Sequence, residues 1–287
     1  MKSNHELALR AVVSEAILAI QRQTATYTKQ AKPSYGGDRE DLVTSADRFA
    51  QEIYVRAFKR DFPGVGIIGE EDGLNVEANT QNFGQYFTVD PLDGTRAFAR
   101  NQSHGVGTMC ALVDRDNVRA AYVGDVNTGE IYGYFGDGPV TRTRFGVETT
   151  MSLDPNLPLL AQYSLFFDAP YRYPNNVQRM LGDAPHGGLF KCYEVSGGSI
   201  GITMAKLWKG EVGLIALAPA HVTLWDWTPL TGINRKMGIA YVAVDMVNAT
   251  AEEVRVVPSK VITKQEKVII CVHKSHVPAV LCFLNGN

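Results

Sequence analysis

In the segment Phe87-Thr88-Val89-Asp90-Pro91-Leu92-Asp93-Gly94-Thr95, a short apolar run typical of a buried strand ends in two carboxylates three residues apart. Charges placed so close at the end of a buried strand repel each other unless a hard cation lies between them, so the fold must bring them a counter-charge. Pro91 stiffens the link, Leu92 presents a backbone carbonyl, and oxygen donors of this kind suit Mg²⁺. Gly94 lets the backbone approach a ligand closely. Thr95 leads into Arg96-Ala97-Phe98 and opens a short helix, whose free N–H groups form an anion site. A single loop thus carries donors for both a metal and a phosphate.

Two further acidic pieces stand in comparable places. Gly69-Glu70-Glu71 follows an apolar run at 65–68, and Asp226 lies in Leu224-Trp225-Asp226-Trp227 at a predicted helix start. Each alone has an ordinary explanation: Asp-Pro and Asp-Gly form turns, Glu-Glu commonly faces solvent, and Asp226 fits a helix N-cap. Their joint occurrence at strand ends and helix starts is what points to a metal centre.

The remainder of the chain sets the class. Its 287 residues are 45% hydrophobic and 20% charged, the balance of a folded globular protein of one large domain or two ordinary ones. The net charge of −2, with no block of five Lys or Arg, offers nucleic acid no general attraction. Cys110, Cys192, Cys271 and Cys282 are far apart and form no zinc-type spacing, which fits a reducing, cytoplasmic setting. The opening apolar run is cut by Glu15 and does not read as a signal sequence, and no stretch approaches the roughly 20 apolar residues of a membrane span.

Leu9, Val12, Val13, Ala16, Ile17 and Ile20 follow helical spacing and form a core-facing stripe. A polar loop is expected at 31–40. A second helix follows with the stripe Ala46, Phe49, Ala50, Ile53 and Ala57, Thr44 as N-cap, and Asp61-Phe62-Pro63-Gly64 as its end. Strands are expected at 65–68 and 86–89, then an antiparallel meander at 106–113, 118–123 and 131–135. After a turn-rich stretch at 136–158, strands near 160–166, 190–195, 212–217, 239–244 and 267–272 alternate with helices near 174–181, 199–208, 225–236 and 275–284. The expected organisation is an α+β half at 1–150 carrying most metal ligands, and an α/β half at 151–287 carrying Asp226 and the substrate-side loop.

Together, Gly69-Glu70-Glu71, Asp90-Pro91-Leu92-Asp93-Gly94-Thr95 and Trp225-Asp226, with Asp41-Leu42-Val43-Thr44 and Asp47 upstream, resemble the inositol monophosphatase family of magnesium-dependent, lithium-sensitive phosphatases. The resemblance covers nearly the whole chain. It implies a layered α/β/α/β/α sandwich, a homodimer, and two or three Mg²⁺ ions held by Glu70, Asp90, Asp93, Asp226 and the Leu92 carbonyl. It also implies in-line attack of water on a small phosphate monoester. Asp47 and Thr95 take the water-activating role, with Glu70 beside them, and the Gly94 and Thr95 amides hold phosphate oxygens. Asp47 has a structural reading as well: three residues after Thr44, it can close a capping box. Glu71 is expected near the metals but not as a direct ligand.

The substrate side departs from the family pattern. Where inositol-specific members carry a hydroxyl-reading Glu seven residues before the Trp-Asp aspartate, this chain has Pro219. The sequence after the metal loop, Thr95-Arg96-Ala97-Phe98, is closer to histidinol-phosphate and bisphosphate phosphatases of the same superfamily. Arg96 reads either as a contact to a second substrate anion or as a solvated surface arginine. Gly198 and Ser199 resemble a segment that touches the substrate ring, and also suit helix capping. His221 reads either as a group at the mouth of the site or as an exposed loop histidine. A non-catalytic binding or scaffold protein retaining the fold is the alternative of another class.

Overall fold

The computed structural model describes residues 2–33 and 40–286. Helix α1 (Asn4–Gln23) starts at Ser3, whose hydroxyl accepts from the Glu6 amide, and buries Leu9, Val12, Val13, Ala16, Ile17 and Ile20. A two-stranded antiparallel ribbon, β1 (Lys29–Pro33) and β2 (Glu40–Thr44), connects it to helix α2 (Ser45–Asp61). Thr44 and Asp47 form the capping box that opens α2.

An eight-stranded sheet follows. Its members are β3 (Gly66–Gly69), β4 (Asn75–Val76), β5 (Gln85–Asp93), β6 (Gly107–Asp114), β7 (Asn117–Asp125), β8 (Ile131–Phe135), β9 (Thr141–Arg144) and β10 (Val147–Thr150), with the short helix α3 (Thr95–Ala99) after β5. The spatial order is β10-β9-β8-β7-β6-β5-β3-β4, antiparallel except for the β3–β5 pair. The second sheet, of order β12-β11-β13-β18-β15-β16, is built from β11 (Tyr163–Phe166), β12 (Cys192–Val195), β13 (Leu214–Leu217), β15 (Ile239–Val244), β16 (Ala251–Val254) and β18 (Val268–His273). A separate ribbon pairs β14 (Ala220–Val222) with β17 (Thr263–Gln265). The remaining helices are α4 (Asn175–Leu181), α5 (Ile200–Trp208), α6 (Leu224–Met237) and α7 (Val277–Asn285).

Strand alternation sorts these elements into layers. Cys110 of β6 and Phe87 and Val89 of β5 point into a core shared with α1 and α2, whereas Met109 and Ala111 of β6 point the other way. On that second side they meet Met204 and Trp208 of α5, Leu230 and Ile233 of α6, and Ile269 and Cys271 of β18. Val268, Ile270 and Val272 of β18 face outward onto α4 and α7. The result is a five-layer α/β/α/β/α sandwich with α5 and α6 in the middle, as the resemblance implied.

Several sequence expectations need correction. The stretch 31–40, expected as a loop, enters β1 and β2 at its ends, and its remainder at 34–39 lies outside the described residues. The turn-rich segment 136–158 contains β9 and β10. Phe49, assigned to the α2 core stripe, is 40% exposed. Four further short strands, β4, β14, β16 and β17, depart from the expectation; they have two to four residues each and carry little periodic signal. The first sheet ends at Thr150 and the second begins at Tyr163.

The middle layer is tied together by a buried polar relay. Trp208 Nε1 of α5 donates to Asn234 Oδ1 of α6 at 2.6 Å, and Asn234 Nδ2 donates to Tyr241 Oη of β15 at 3.0 Å. Asn234 is fully buried. Asn234→Leu would leave both partner groups buried and unpaired, a destabilisation on the order of 3 kcal/mol. Thermal denaturation should therefore show a melting temperature lower by several degrees; an unchanged value would mean that the relay contributes no net stability.

Candidate active site

The site forms where β5, α5 and α6 meet. The β5–β6 register shifts between Asp90 and Asp93, a bulge that turns the chain as it leaves the sheet. The bend is held locally by Asp90 Oδ1, which accepts from the Leu92 amide at 3.0 Å. Gly94 follows at φ +86°, and a Cβ there would lie 2.3 Å from the Gly105 carbonyl oxygen, so only glycine fits. Helix α3 then begins, with the Ala97 amide donating to the Gly94 carbonyl at 2.8 Å.

Asp93 points at the start of α5. Its Oδ2 accepts from the Ser199 hydroxyl and from the Gly201 amide at 2.7 Å, and its Oδ1 accepts from the Ile200 amide at 3.1 Å. Asp226 lies in the first turn of α6, where it accepts from the Thr223 hydroxyl. Both carboxylates thus sit at the positive ends of helices of the central layer. Asp90, Asp93 and Asp226 each offer an oxygen within 4.8 Å of the others.

Asp90 and Asp93 are buried. Burial pushes the Asp90 carboxyl well above its ordinary range, and the charges of Glu70, Asp93 and Asp226 add to that effect. Asp93 is pushed up to about 7 by burial and by Asp226, against the lowering effect of its Ser199, Gly201 and Ile200 hydrogen bonds. Burial likewise takes Glu70 up to about 8, opposed by Lys32 and reinforced by Asp226 and Glu71. Three crowded carboxylates with no His or Cys among them, beside the Leu92 carbonyl, form a hard oxygen donor set that fits a divalent cation such as Mg²⁺.

Asp47 of α2 lies buried behind the cleft and reaches it through Thr95. Its Oδ2 accepts from the Thr44 amide at 2.7 Å, completing the cap, while its Oδ1 lies 3.0 Å from the Thr95 hydroxyl. The capping role and contact with Thr95 therefore coexist. Thr95 Oγ1 is also 3.1 Å from the Leu92 carbonyl oxygen. Burial raises the Asp47 carboxyl, and the hydrogen bonds from Thr44 and Thr95 hold it down in part.

Glu70 lines the cleft with the aspartates but does not join their close group; Lys32 of β1 holds it at 2.8 Å. Arg96 is exposed at the rim, with Arg100 nearby. Gly198 packs against Gly105 at φ +90° and lines the cleft. Ser199 is fully buried, and its hydroxyl serves Asp93 and the Ile202 amide, so it braces a carboxylate and caps α5. His221, on β14, lines an adjoining cavity of about 270 Å³ together with Phe167, Asp168, Arg172, Trp227 and Gln265. That cavity shares Asp93, Gly198 and Asp226 with the acidic cleft. Lys32, Asp168, Arg172 and Gln265 escaped the sequence reading, because none stands in a motif and each reaches the site through tertiary contacts; Arg100 also escaped it, although it follows directly on α3.

Five alternating layers with a buried acidic cleft at the ends of β5, α5 and α6 are the build of a phosphatase-type sandwich. The model of the inositol monophosphatase family matches residues 3–276, and the chain belongs to that family. A solved IMPase/NADP phosphatase, complexed with NADP and Ca²⁺, superposes with a TM-score of 0.73 at 17% identity, covering 100% of this chain and 98% of that one. At that identity the likeness is one of fold. The Nus factor SuhB of Pseudomonas aeruginosa is 36% identical over 79 residues, 27% of this chain and 29% of that protein. The histidinol-phosphatase of Chlorobaculum parvum is 35% identical over 98 residues, 33% of this chain and 35% of that enzyme. The chain thus spans about a third of the length of these curated relatives.

The electrostatics give a direct test in the metal-free protein. Carboxylates raised by folding favour the folded state while protonated. Their contribution is present below the ordinary range near 4 and is lost as pH rises through about 7 for Asp93 and about 8 for Glu70. In EDTA the melting temperature should therefore fall between pH 5 and 8, and Asp90→Asn should flatten that fall. A melting temperature that stays level or rises across this window in the wild type would refute the charge-crowding account.

Proposed function

We propose that the chain is a Mg²⁺-dependent phosphatase that hydrolyses small phosphate monoesters by in-line attack of water. The observation that carries this reading is the convergence of Asp90, Asp93 and Asp226 within 4.8 Å, with Asp47 and Thr95 hydrogen-bonded beside them. The metal ligands would be these three aspartates, the Leu92 carbonyl and Glu70, for two or three ions. When bound, Mg²⁺ supplies charge to polarise the phosphoryl group, to offset the charge on the leaving oxygen and to lower the proton affinity of water.

The chain's own groups supply the rest. The Thr95 hydroxyl would take a proton from the attacking water as it gives its own to Asp47 Oδ1, and the Thr44 amide fixes the carboxylate from its other oxygen. The Gly94 and Thr95 amides hold phosphate oxygens at the turn where no side chain fits at Gly94. Asp93 keeps its aim through Ser199 and the α5 amides. Arg96 and Arg100 place positive charge at the rim, which supports acceptance of a second anionic group.

The adjoining cavity is read as the place of the leaving group. Phe167, Ile200, Leu217, Trp227 and Ile269 give it apolar walls, with the Asp168–Arg172 ion pair, His221 and Gln265 as its polar groups. Pro219 is not part of the lining; its carbonyl accepts from Arg172 at 3.3 Å. Such a wall favours a leaving group with a flat or apolar part over a polyol. A cytoplasmic homodimer acting on a small phosphorylated metabolite is the setting this reading implies. The dimer is supported by the exposed edge strand β12, where Tyr193 and Val195 stand open. The SuhB likeness keeps a non-catalytic binding role as the rival. The complete set of carboxylates supports catalysis.

Phosphate release from a panel of monoesters separates these readings. Activity should require Mg²⁺, fall with millimolar Li⁺, and vanish in Asp90→Asn with the fold retained; undiminished turnover in EDTA would sink the proposal. Asp47→Asn should lower kcat by about 10²–10⁴-fold, the usual effect of removing a positioned base. Normal turnover with only a lowered melting temperature would leave Asp47 a cap and nothing more.

The same panel reads specificity. A site discriminates strongly through polar groups left unpaired by the wrong substrate; Pro219 offers no carboxylate to read inositol hydroxyls, and the cavity's Asp168 is already held by Arg172. Inositol 1-phosphate should therefore show no kcat/KM advantage over histidinol phosphate or glycerol phosphates. An advantage of orders of magnitude would refute the leaving-group assignment.

A further inference from the structure

Helix α2 places a second buried polar side chain one turn beyond Asp47. Gln51 lies on the same face of the helix, is buried, and meets the backbone of Glu71 with its side-chain amide. Gln51 Oε1 accepts from the Glu71 amide and Gln51 Nε2 donates to the Glu71 carbonyl, both at 3.0 Å. A neighbouring strand would supply the same kind of pairing, and the Glu71 amide has no other partner among the described residues. Gly69 makes room for the contact, since a Cβ there would lie 2.5 Å from Gln51 Oε1. The chain then turns tightly, with Asp72 at φ +53° and the Leu74 amide donating to the Glu71 carbonyl at 3.1 Å. Arg48 of α2 reaches that turn as well, 3.0 Å from Asp72.

Strands β3 and β5 are parallel neighbours, so the segments that follow them lie side by side. One face of α2 grips both: Asp47 accepts from the Thr95 hydroxyl after β5, and Gln51 holds the Glu71 backbone after β3. Glu70 therefore stands between two fixed peptide groups, because its own amide donates to the Val89 carbonyl at 3.1 Å and the peptide that follows it is held by Gln51. We propose that Gln51 is a positioning residue for Glu70, holding the Glu70–Glu71 peptide so that the Glu70 carboxylate faces the cleft it lines with Asp90 and Asp226. This rests on the metal-dependent reading given above. Only an amide of this length can serve at position 51. Glu would oppose the Glu71 carbonyl with a second acceptor, Asn is one methylene short, and Met fills the space but pairs with neither backbone group. Groups that orient a ligand from behind account for about 10–100-fold in metal affinity, although they never touch the ion.

The test uses the full-length protein and its variants, with Mn²⁺ as the paramagnetic probe. The binding that Glu70→Gln removes defines the part that depends on Glu70. Gln51→Met should weaken that part by about tenfold or more, and should add nothing in a Glu70→Gln background. Gly69→Ala crowds Gln51 from the other side, so it should reproduce the loss and cost nothing further in a Gln51→Ala background. Asn234→Leu, destabilised in the distant relay, should bind Mn²⁺ as the wild type does. An equal loss in Asn234→Leu or in the Glu70→Gln background would mark a general stability effect and overturn the proposal. A measurement in EDTA keeps the clasp itself open to test. The Glu71 amide, followed by hydrogen exchange, should be protected in the wild type and exchange about fivefold faster or more in Gln51→Met; equal rates overturn the proposal. Failure of the wild type to bind any Mn²⁺ would sink the metal-dependent reading, together with this inference. Normal binding that Gln51→Met leaves untouched would sink this inference alone.

Discussion

The repulsion among Asp90, Asp93 and Asp226 is the constraint around which the molecule is arranged. Like charges whose oxygens approach within 4.8 Å in a buried cleft cost free energy unless the surroundings restrain them. Each is restrained by a different element: Asp90 by the bulged end of β5, Asp93 by the amides at the start of α5, and Asp226 by the first turn of α6. A single loop with three acidic residues would relax and spread them. Three elements anchored in separate parts of the core cannot.

That anchoring explains the five layers. Helices α5 and α6 lie between the sheets and are packed on both sides, with Met204, Trp208, Leu230 and Ile233 in one continuous core with β6, β13, β15 and β18. The Trp208–Asn234–Tyr241 relay fixes their relation to the second sheet, and the close approach of Gly94, Gly105 and Gly198 fixes the loop after β5 against the start of α5. Backbone contacts this tight transmit displacement rather than absorb it, so a side chain at Gly94 would push the loop after β5 away from the α5 N-terminus.

What the sequence disclosed and what it hid follow the range of the interactions. The chemistry of Asp90 to Thr95 is local: strand, bend, glycine and helix start lie within ten residues, and the capping box of Thr44 and Asp47 spans three. Core-facing stripes were legible for the same reason, since helical and strand periods repeat within a single element. Phe49 failed because helical spacing identifies a face but not where the covering layer ends. Ser199 was legible as a cap, yet its bond to Asp93 spans 106 residues and leaves no trace in spacing. Lys32 lies in a stretch whose polar composition resembles a loop, and only the positions of Glu70 and Glu71 give its charge a purpose.

The same division separates reaction from substrate. The acidic cleft is made chiefly of the contiguous stretch from Asp90 to Arg100, joined by Glu70, Gly198 and the turn from Thr223 to Asp226, so a motif carries most of it. The adjoining cavity draws Phe167, Asp168 and Arg172 from the segment after β11, His221 from β14, Trp227 from α6 and Gln265 from β17. Two of those contributors form the ribbon of β14 and β17, three residues in each strand, which pairs across some forty residues of chain and lies outside both large sheets. Segments so short are held by the body beneath them and can change residue without disturbing the core. A cleft fixed by the core beside a wall assembled from such segments lets the two vary independently of each other.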